Sequence, residues 1–206
     1  MDHAAQDPTH ALGVALHAGA RQPCAPEAAH AEPSDAELLA RARAGDRYAF
    51  ADLYVRYVGL VRGVLLARAP RSDCDDLAQE VFIRAWQRLD DLRSDESLGP
   101  WLAASARARA GDHRRTAARR ARREAAAAAR STRDTSAEGI TAARALDAIR
   151  SLPEAYRDTL ALRLIEQMPG PLIARRLGLT EGSVRVNLHR GMKLLRERLG
   201  IEEAAP

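Results

Sequence analysis

Lysine is almost missing from this chain: Lys193 is the only one among 32 basic residues in 206. Arginine stays charged at any physiological pH and grips phosphate or carboxylate through a planar fork. A GC-rich genome also produces such a bias, so the placement of arginine carries more information than its number. Aromatic residues make up only 4% of the chain, and strand-like alternation of β-branched residues is nearly absent, which excludes a sheet-rich architecture. The two cysteines, Cys24 and Cys74, stand far apart and form no CxxC pair. That spacing excludes a disulfide framework and fits a reducing cytosol. No apolar run reaches the roughly 20 residues of a membrane-spanning helix. The N-terminus lacks the basic start and long apolar core of a secretion signal. A cytoplasmic protein is the expectation.

What is abundant is alanine, leucine and arginine, and their spacing is helical. The expected fold is all-α, with two small helical domains joined by a flexible linker. The boundaries read as an N-terminal extension over 1–33, a first domain over 34–123, a linker over 124–140, a second domain over 141–201 and a tail over 202–206. The extension is rich in Ala, His and Pro and has no sustained apolar face, so it is expected to be disordered or weakly helical. Within it His3, His10, His17 and Cys24 recur at heptad spacing, near His30. Four ligands spread over about six helical turns cannot converge on one ion without a bend in the chain. Chance composition therefore accounts for them better than a metal site, and no metal or cofactor is expected.

The first domain opens on a capping-box pattern, Ser34 with Glu37, ahead of Leu38, Leu39 and Ala42. Gly45 ends that helix and Asp46 caps a second, in which Phe50, Leu53, Tyr54, Tyr57, Val61 and Leu65 recur at three and four. Pro70 stops it, and Ser72 with Asp75 repeats the capping pattern before the stripe Leu77, Val81, Ala85 and Leu89. After a polar loop, Pro100 sits in a first helical turn anchored by Trp101 and Leu102. That helix runs into a crowd of arginines, Arg114, Arg115, Arg119, Arg120, Arg122 and Arg123, which either attracts phosphate or is a solvated face. The Ala-rich start of the linker extends this helix.

In the second domain Leu146, Ile149 and Leu152 lead to Pro153, which opens a helix carrying Tyr156, Leu160, Leu164 and Ile165. Pro169, Gly170 and Pro171 break the chain. A short helix with Leu172, Ile173 and Leu177 ends at Gly178, and Thr180 caps a last helix with Val184, Leu188, Leu195 and Leu199 inside. Spacing alone leaves two readings open, a helix-turn-helix or a plain helical hairpin.

The segment DCDDLAQEVFIRAWQRL, Asp73 to Leu89, resembles the second conserved region of extracytoplasmic-function RNA polymerase sigma factors. Glu37 to Arg41, Gly45–Asp46, Ala49–Phe50, Trp101–Leu102, Asp112–His113 and Arg115 extend the likeness. Leu152 to Arg157 is similar to the start of the family's fourth region. Ile173–Ala174, Leu177–Gly178, Gly182 to Arg185 and Leu188 to Arg190 are similar to its helix-turn-helix. The ordered set covers about residues 34–200.

The resemblance implies a non-enzymatic protein that binds core RNA polymerase and promoter DNA, commonly held inactive by an anti-sigma protein that is often membrane-bound. It implies that Asp75, Asp76, Gln79, Glu80, Arg84 and Trp86 dock on a coiled coil of the polymerase. Trp86 itself stays open between core and interface. Arg93, Ser94 and Asp95 would read a flipped base of the promoter element nearest the start site, with Arg107, Arg109, Asp112, His113, Arg114 and Arg115 along the backbone. Leu98, Ser105 and Ala108 depart from the aromatic, isoleucine and asparagine common in relatives.

In the last helix Val186 lies opposite Val184 and Leu188, flanked by Ser183, His189, Arg190 and Lys193, with Arg185 and Asn187 at the edges. Arginine and asparagine read guanine and adenine edges, and Val186 suits a thymine methyl. Gly191 and Met192 stand where relatives have Ala-Arg, which removes one phosphate contact.

Two alternatives have their own signatures. An ordinary helix-turn-helix regulator would leave the Asp73–Leu89 helix without a purpose. A hydrolase could use Asp75, Asp76 and Glu80 as metal ligands, but no phosphate loop, Ser/His/Asp set or HExxH motif accompanies them. The slack linker is also expected to let the domains close on each other, hiding both DNA surfaces, or open along polymerase.

Overall fold

The computed structural model describes residues 33–91, 98–125 and 142–201. Among these are eight α-helices and two short 3-10 turns, with no strand. The N-terminal half holds α1 (Asp35–Arg43), α2 (Arg47–Leu66), α3 (Cys74–Gln87) and α4 (Leu98–Ala125). The C-terminal half holds α5 (Ala142–Ser151), α6 (Glu154–Leu164), α7 (Gly170–Leu177) and α8 (Glu181–Leu199). The all-α, two-cluster reading holds.

Local chemistry starts the helices. At α1 the capping box is complete: Ser34 N–H donates to Glu37 Oε2 at 2.7 Å and Glu37 N–H to Ser34 Oγ at 3.2 Å. Gly45 turns the chain at φ +92°, a left-handed conformation that costs glycine nothing. Asp46 then accepts from the N–H groups of Tyr48 and Ala49, opening α2. Thr180 Oγ1 accepts from Ser183 N–H in the same way at α8.

Two expectations need correction. The Ser72/Asp75 pattern does not cap α3. Arg71–Asp73 is a 3-10 turn, Ser72 Oγ turns to Asp73 Oδ1, and the helix starts at Cys74 without a side-chain cap. Pro169-Gly170-Pro171 does not merely break the chain: α7 begins at Gly170 and takes Pro171 into its first turn, where a missing N–H costs nothing.

The 20-residue α2 is the axle of the N-terminal half. Leu53, Tyr57, Leu60, Val61, Val64 and Leu65 are buried among α1, α3 and α4. Alanines 103, 106 and 110 let α4 approach closely. In the C-terminal half α6 and α8 cross over a buried glycine. A Cβ on Gly191 would lie 2.9 Å from Leu160 Cδ1 and 3.1 Å from Tyr156 Cβ. Gly191, in the place of the relatives' alanine, leaves the room this crossing uses.

The halves pack on each other, α2 against α6 and α4 against α7. Leu162 fits where α2 has Gly63, whose added Cβ would stand 2.7 Å from Leu162 Cδ2. Asp158 on α6 is buried and is shared by Arg68, at the end of α2, and Arg107 Nε on α4, the latter at 2.7 Å. Arg150 donates to the carbonyls of Leu66 and Ala69 at 3.0 and 2.6 Å, satisfying acceptors that the C-terminus of α2 leaves open. The guanidinium of Arg176 stacks over the Tyr57 ring at 3.6 Å.

The Asp158 contact gives a direct test. Asp158→Ala leaves Arg68 and Arg107 without their shared acceptor, which favours separated halves in which both are hydrated. Small-angle scattering should give a larger radius of gyration for the variant than for the unaltered chain. Equal radii would place the closing force elsewhere on the seam.

Candidate nucleic-acid interface

The best-formed candidate surface is the first half of α8. Gly178, at φ +68°, ends α7 in the left-handed conformation, and two residues later Thr180 caps α8. This short turn fixes the angle of a helix-turn-helix. Val184, Gly191, Leu195 and Leu199 hold α8 down, with Leu188 half-buried between them. The opposite side presents Ser183, Arg185, Val186, His189, Arg190 and Lys193 to solvent. Val186 is 45% exposed, unusual for a valine with no core to join. Asn187 is the exception: it is half-buried beside Arg107 and Asp158 on the seam. With the halves packed together, the other residues expected at the distal element stay exposed and Asn187 alone is drawn into the seam.

The second surface is α3. Leu77, Ala78, Val81, Phe82 and Ala85 are buried, and this leaves Asp75, Asp76, Gln79, Glu80, Arg84 and Trp86 exposed along one acidic-to-basic face. Trp86 is core and surface at once, packed edge-on against Phe50 at 4.9 Å while 36% exposed. Its neighbour Ile83 is 56% exposed, and Tyr54, tilted against Phe82, is also open. Sequence spacing did not single out Ile83, and it placed Tyr54 in the apolar stripe. Together with Trp86 they form an apolar edge beside the charges, a composition that suits a protein partner.

On α4 the expected backbone-binding residues other than Arg114 have partners already. Arg107 is held by Asp158, and Arg109 pairs with Glu80 across to α3. That bond holds the Glu80 carboxyl below its usual range and raises Arg109. His113 Nε2 lies 2.8 Å from Asp73 Oδ2, and Asp112 takes Arg115 one turn on. Arg114 is exposed and lines a cleft with Arg68, Arg107 and Arg157. Arg93, Ser94 and Asp95 lie outside the described residues. Leu98 is buried as an anchor of α4, so it is no substitute for an exposed aromatic.

Sequence reading missed Arg68, Asp158 and Arg176, whose partners are distant in the chain. Among the described residues no group of three His, Cys, Asp or Glu could hold a metal, and no helix is long and apolar enough to cross a membrane. The His-containing extension lies outside the described residues. Cys74 is 1% exposed, and burial pushes its thiol up to about 11, far from a reactive thiolate. In a Cys24→Ser variant, iodoacetamide at mildly alkaline pH should label Cys74 only after denaturation. Prompt labelling of the native protein would refute its burial.

Comparison with known proteins finds matches in both halves of the chain. The family models for Sigma-70 region 2 and Sigma-70 region 4 match residues 53–120 and 142–195. The RNA polymerase sigma factor NccH of Alcaligenes xylosoxydans xylosoxydans is 46% identical over 78 residues, which is 34% of this chain and 39% of NccH. The ECF RNA polymerase sigma factor BldN of Streptomyces coelicolor is 29% identical over 167 residues, 77% of this chain and 63% of BldN. The match thus spans less than two thirds of either relative's length. The solved structure of CnrH in complex with the cytosolic domain of CnrY superposes with a TM-score of 0.57 at 26% identity, covering 83% of this chain and all of that one.

Proposed function

Because this chain belongs to the extracytoplasmic-function family of RNA polymerase sigma factors, we propose that it binds core RNA polymerase and directs it to a set of promoters. In this reading α3 docks on polymerase, α8 enters the major groove of the distal promoter element, and α4 with the loop before it serves the element nearest the start site. The chain performs no covalent chemistry. It supplies contacts and selectivity to an enzyme that does, and it works in the cytoplasm.

One observation carries the reading: the chain presents two exposed recognition faces of different chemistry on opposite halves. The α8 face is arginine, histidine, lysine and serine around Val186, suited to phosphates and base edges. The α3 face is acidic at its start, basic and apolar at its end, suited to a charged partner helix and repelled by DNA at the acidic end. A helix-turn-helix regulator needs only the first.

The closed arrangement sets the order of events. Arg107 and Asn187 lie at the seam, so the halves part before both reach DNA. The α3 face and the outer side of α8 are open throughout, so polymerase and duplex have footholds before the parting. CnrH is solved with the cytosolic domain of a partner protein. We extend that likeness to this chain, with a protein inhibitor as its partner, seated on the apolar edge of Tyr54, Ile83 and Trp86.

The deciding experiment is transcription in vitro with sigma-free core polymerase on a genomic promoter library. Selective initiation that depends on this chain is expected, as is capture of core enzyme without DNA. Binding to DNA with no binding to core enzyme would make it a conventional regulator. Arg190→Ala should weaken distal-element binding by about 1–3 kcal/mol without touching core-enzyme affinity. Unchanged promoter affinity in a binding titration would take Arg190 off the contact surface.

A further inference from the structure

A cleft of about 750 Å3 opens where the two halves meet, and its walls are basic. Arg56, Tyr57 and Asp35 face it from the N-terminal half, Arg175 and Arg176 from α7, and Gly99 from the first turn of α4. We infer that this cleft is a binding site for a phosphorylated small molecule or an inorganic polyphosphate, held between the two halves of the chain.

The charges of the cleft do not balance. Its carboxylate, Asp35, is already engaged: it accepts from Arg56 Nη1 and from the Tyr57 hydroxyl, each at 2.5 Å. Burial works to raise Asp35, yet these donors outweigh it and hold its carboxyl low. Arg56 is thus matched, while Arg176 is attracted to Asp35 through space with no hydrogen bond between them and is repelled by its neighbour Arg175. Arg176 is 8% exposed and its Nη1 has no hydrogen-bond partner, although a buried guanidinium nitrogen without an acceptor is costly. Stacking on Tyr57 holds the group in place but gives Nη1 no acceptor.

Two further features point to the same chemistry. The α4 N-terminus comes to the cleft at Gly99, and the aligned peptide dipoles of this 28-residue helix favour an anion there. Gly99 also lets α4 touch the backbone of α7, since an added Cβ would stand 2.9 Å from the Arg176 carbonyl oxygen. That close approach brings a helix terminus and the two arginines to one place. A planar guanidinium whose buried Nη1 lacks an acceptor, a second arginine and a helix N-terminus match the several oxygens of a phosphate group. The volume lies in the range of about 300–1,000 Å3 that small-molecule sites occupy.

An occupant of this cleft touches both halves and stabilises the closed arrangement by mass action. The test uses the full chain alone, so it stands or falls independently of the polymerase reading. Calorimetric titration with inorganic pyrophosphate, and separately with a nucleoside triphosphate, should show saturable binding of one ligand per chain and a rise in melting temperature. The better of the two tells whether the cleft takes a bare polyphosphate or an organic phosphate.

Arg175→Ala, at an exposed position, should weaken binding about tenfold, the loss of one charge-assisted hydrogen bond. Arg176→Gln should weaken it at least as much. If Arg176→Gln disturbs the seam, Arg175→Ala decides. The double variant Arg47→Ala/Arg71→Ala, at exposed positions outside the cleft, should bind as the unaltered chain does. Absence of saturable binding would overturn the site. So would a loss in that double variant equal to that in Arg175→Ala, which would mark diffuse attraction to a basic protein.

Discussion

A single buried carboxylate governs how the two halves meet. Asp158 sits on α6 at the seam, and a carboxylate removed from water is tolerated only where donors replace the water. Its donors come from two different elements of the other half, Arg68 at the end of α2 and Arg107 on α4. Both must be in place together, so the ion cluster specifies one docking of α6 and not merely an apolar contact. When the halves part, all three groups regain water, which offsets much of what their attraction contributes when buried. A contact that is specific in geometry and close to balance in energy suits a seam that has to open. Leu162 against Gly63 and Arg150 on the α2 carbonyls add to it, and Arg176 on the Tyr57 ring brings a further buried charge.

α4 transmits that docking to the rest of the N-terminal half. One side of it is core, through Leu102, Ala106 and Ala110. Its polar residues divide between the seam, where Arg107 holds Asp158, and α3, where Arg109 holds Glu80 and His113 meets Asp73. A guanidinium engaged by a carboxylate is not available to a phosphate, so DNA contact by α4 competes with both pairings. Under the proposed function, polymerase binding on α3 and promoter binding on α4 act on the same ion pair. Engagement of Glu80 by polymerase would free Arg109 for the DNA backbone, which couples the two events through one bond.

How much of this was legible in the sequence depended on distance along the chain. The caps at Ser34, Asp46 and Thr180 were legible because each is a bond between residues two or three apart. The cap at Ser72 failed for the opposite reason. Its neighbour Asp73 is drawn to His113, some forty positions later, and the local start gives way to a 3-10 turn. Asp158 was invisible, since a lone acid between Arg157 and Thr159 reads as a solvated charge and its partner Arg68 lies 90 residues away. Gly191 was read only as a departure from the relatives' alanine, and the space it leaves for Leu160 shows only once α6 is packed against α8. The outer face of α8 and the polar face of α3 follow from helical projection and need no tertiary knowledge. Arg93, Ser94 and Asp95, which the resemblance assigns to base reading, lie outside the described residues.

The near-absence of lysine has a structural consequence whatever its genomic origin. Arg176 lies flat on the Tyr57 ring, which a tetrahedral ammonium cannot do with the same overlap. Arg150 spans two carbonyls at once, and Arg56 bonds both Asp35 and the Pro33 carbonyl through separate nitrogens. Each of these contacts uses the fork of the guanidinium, and each lies at the seam or beside the basic cleft. Lysine at these positions would preserve the net charge and lose the geometry. The bias that looked like background composition is therefore what allows a seam poor in aromatic residues to be joined by directional bonds.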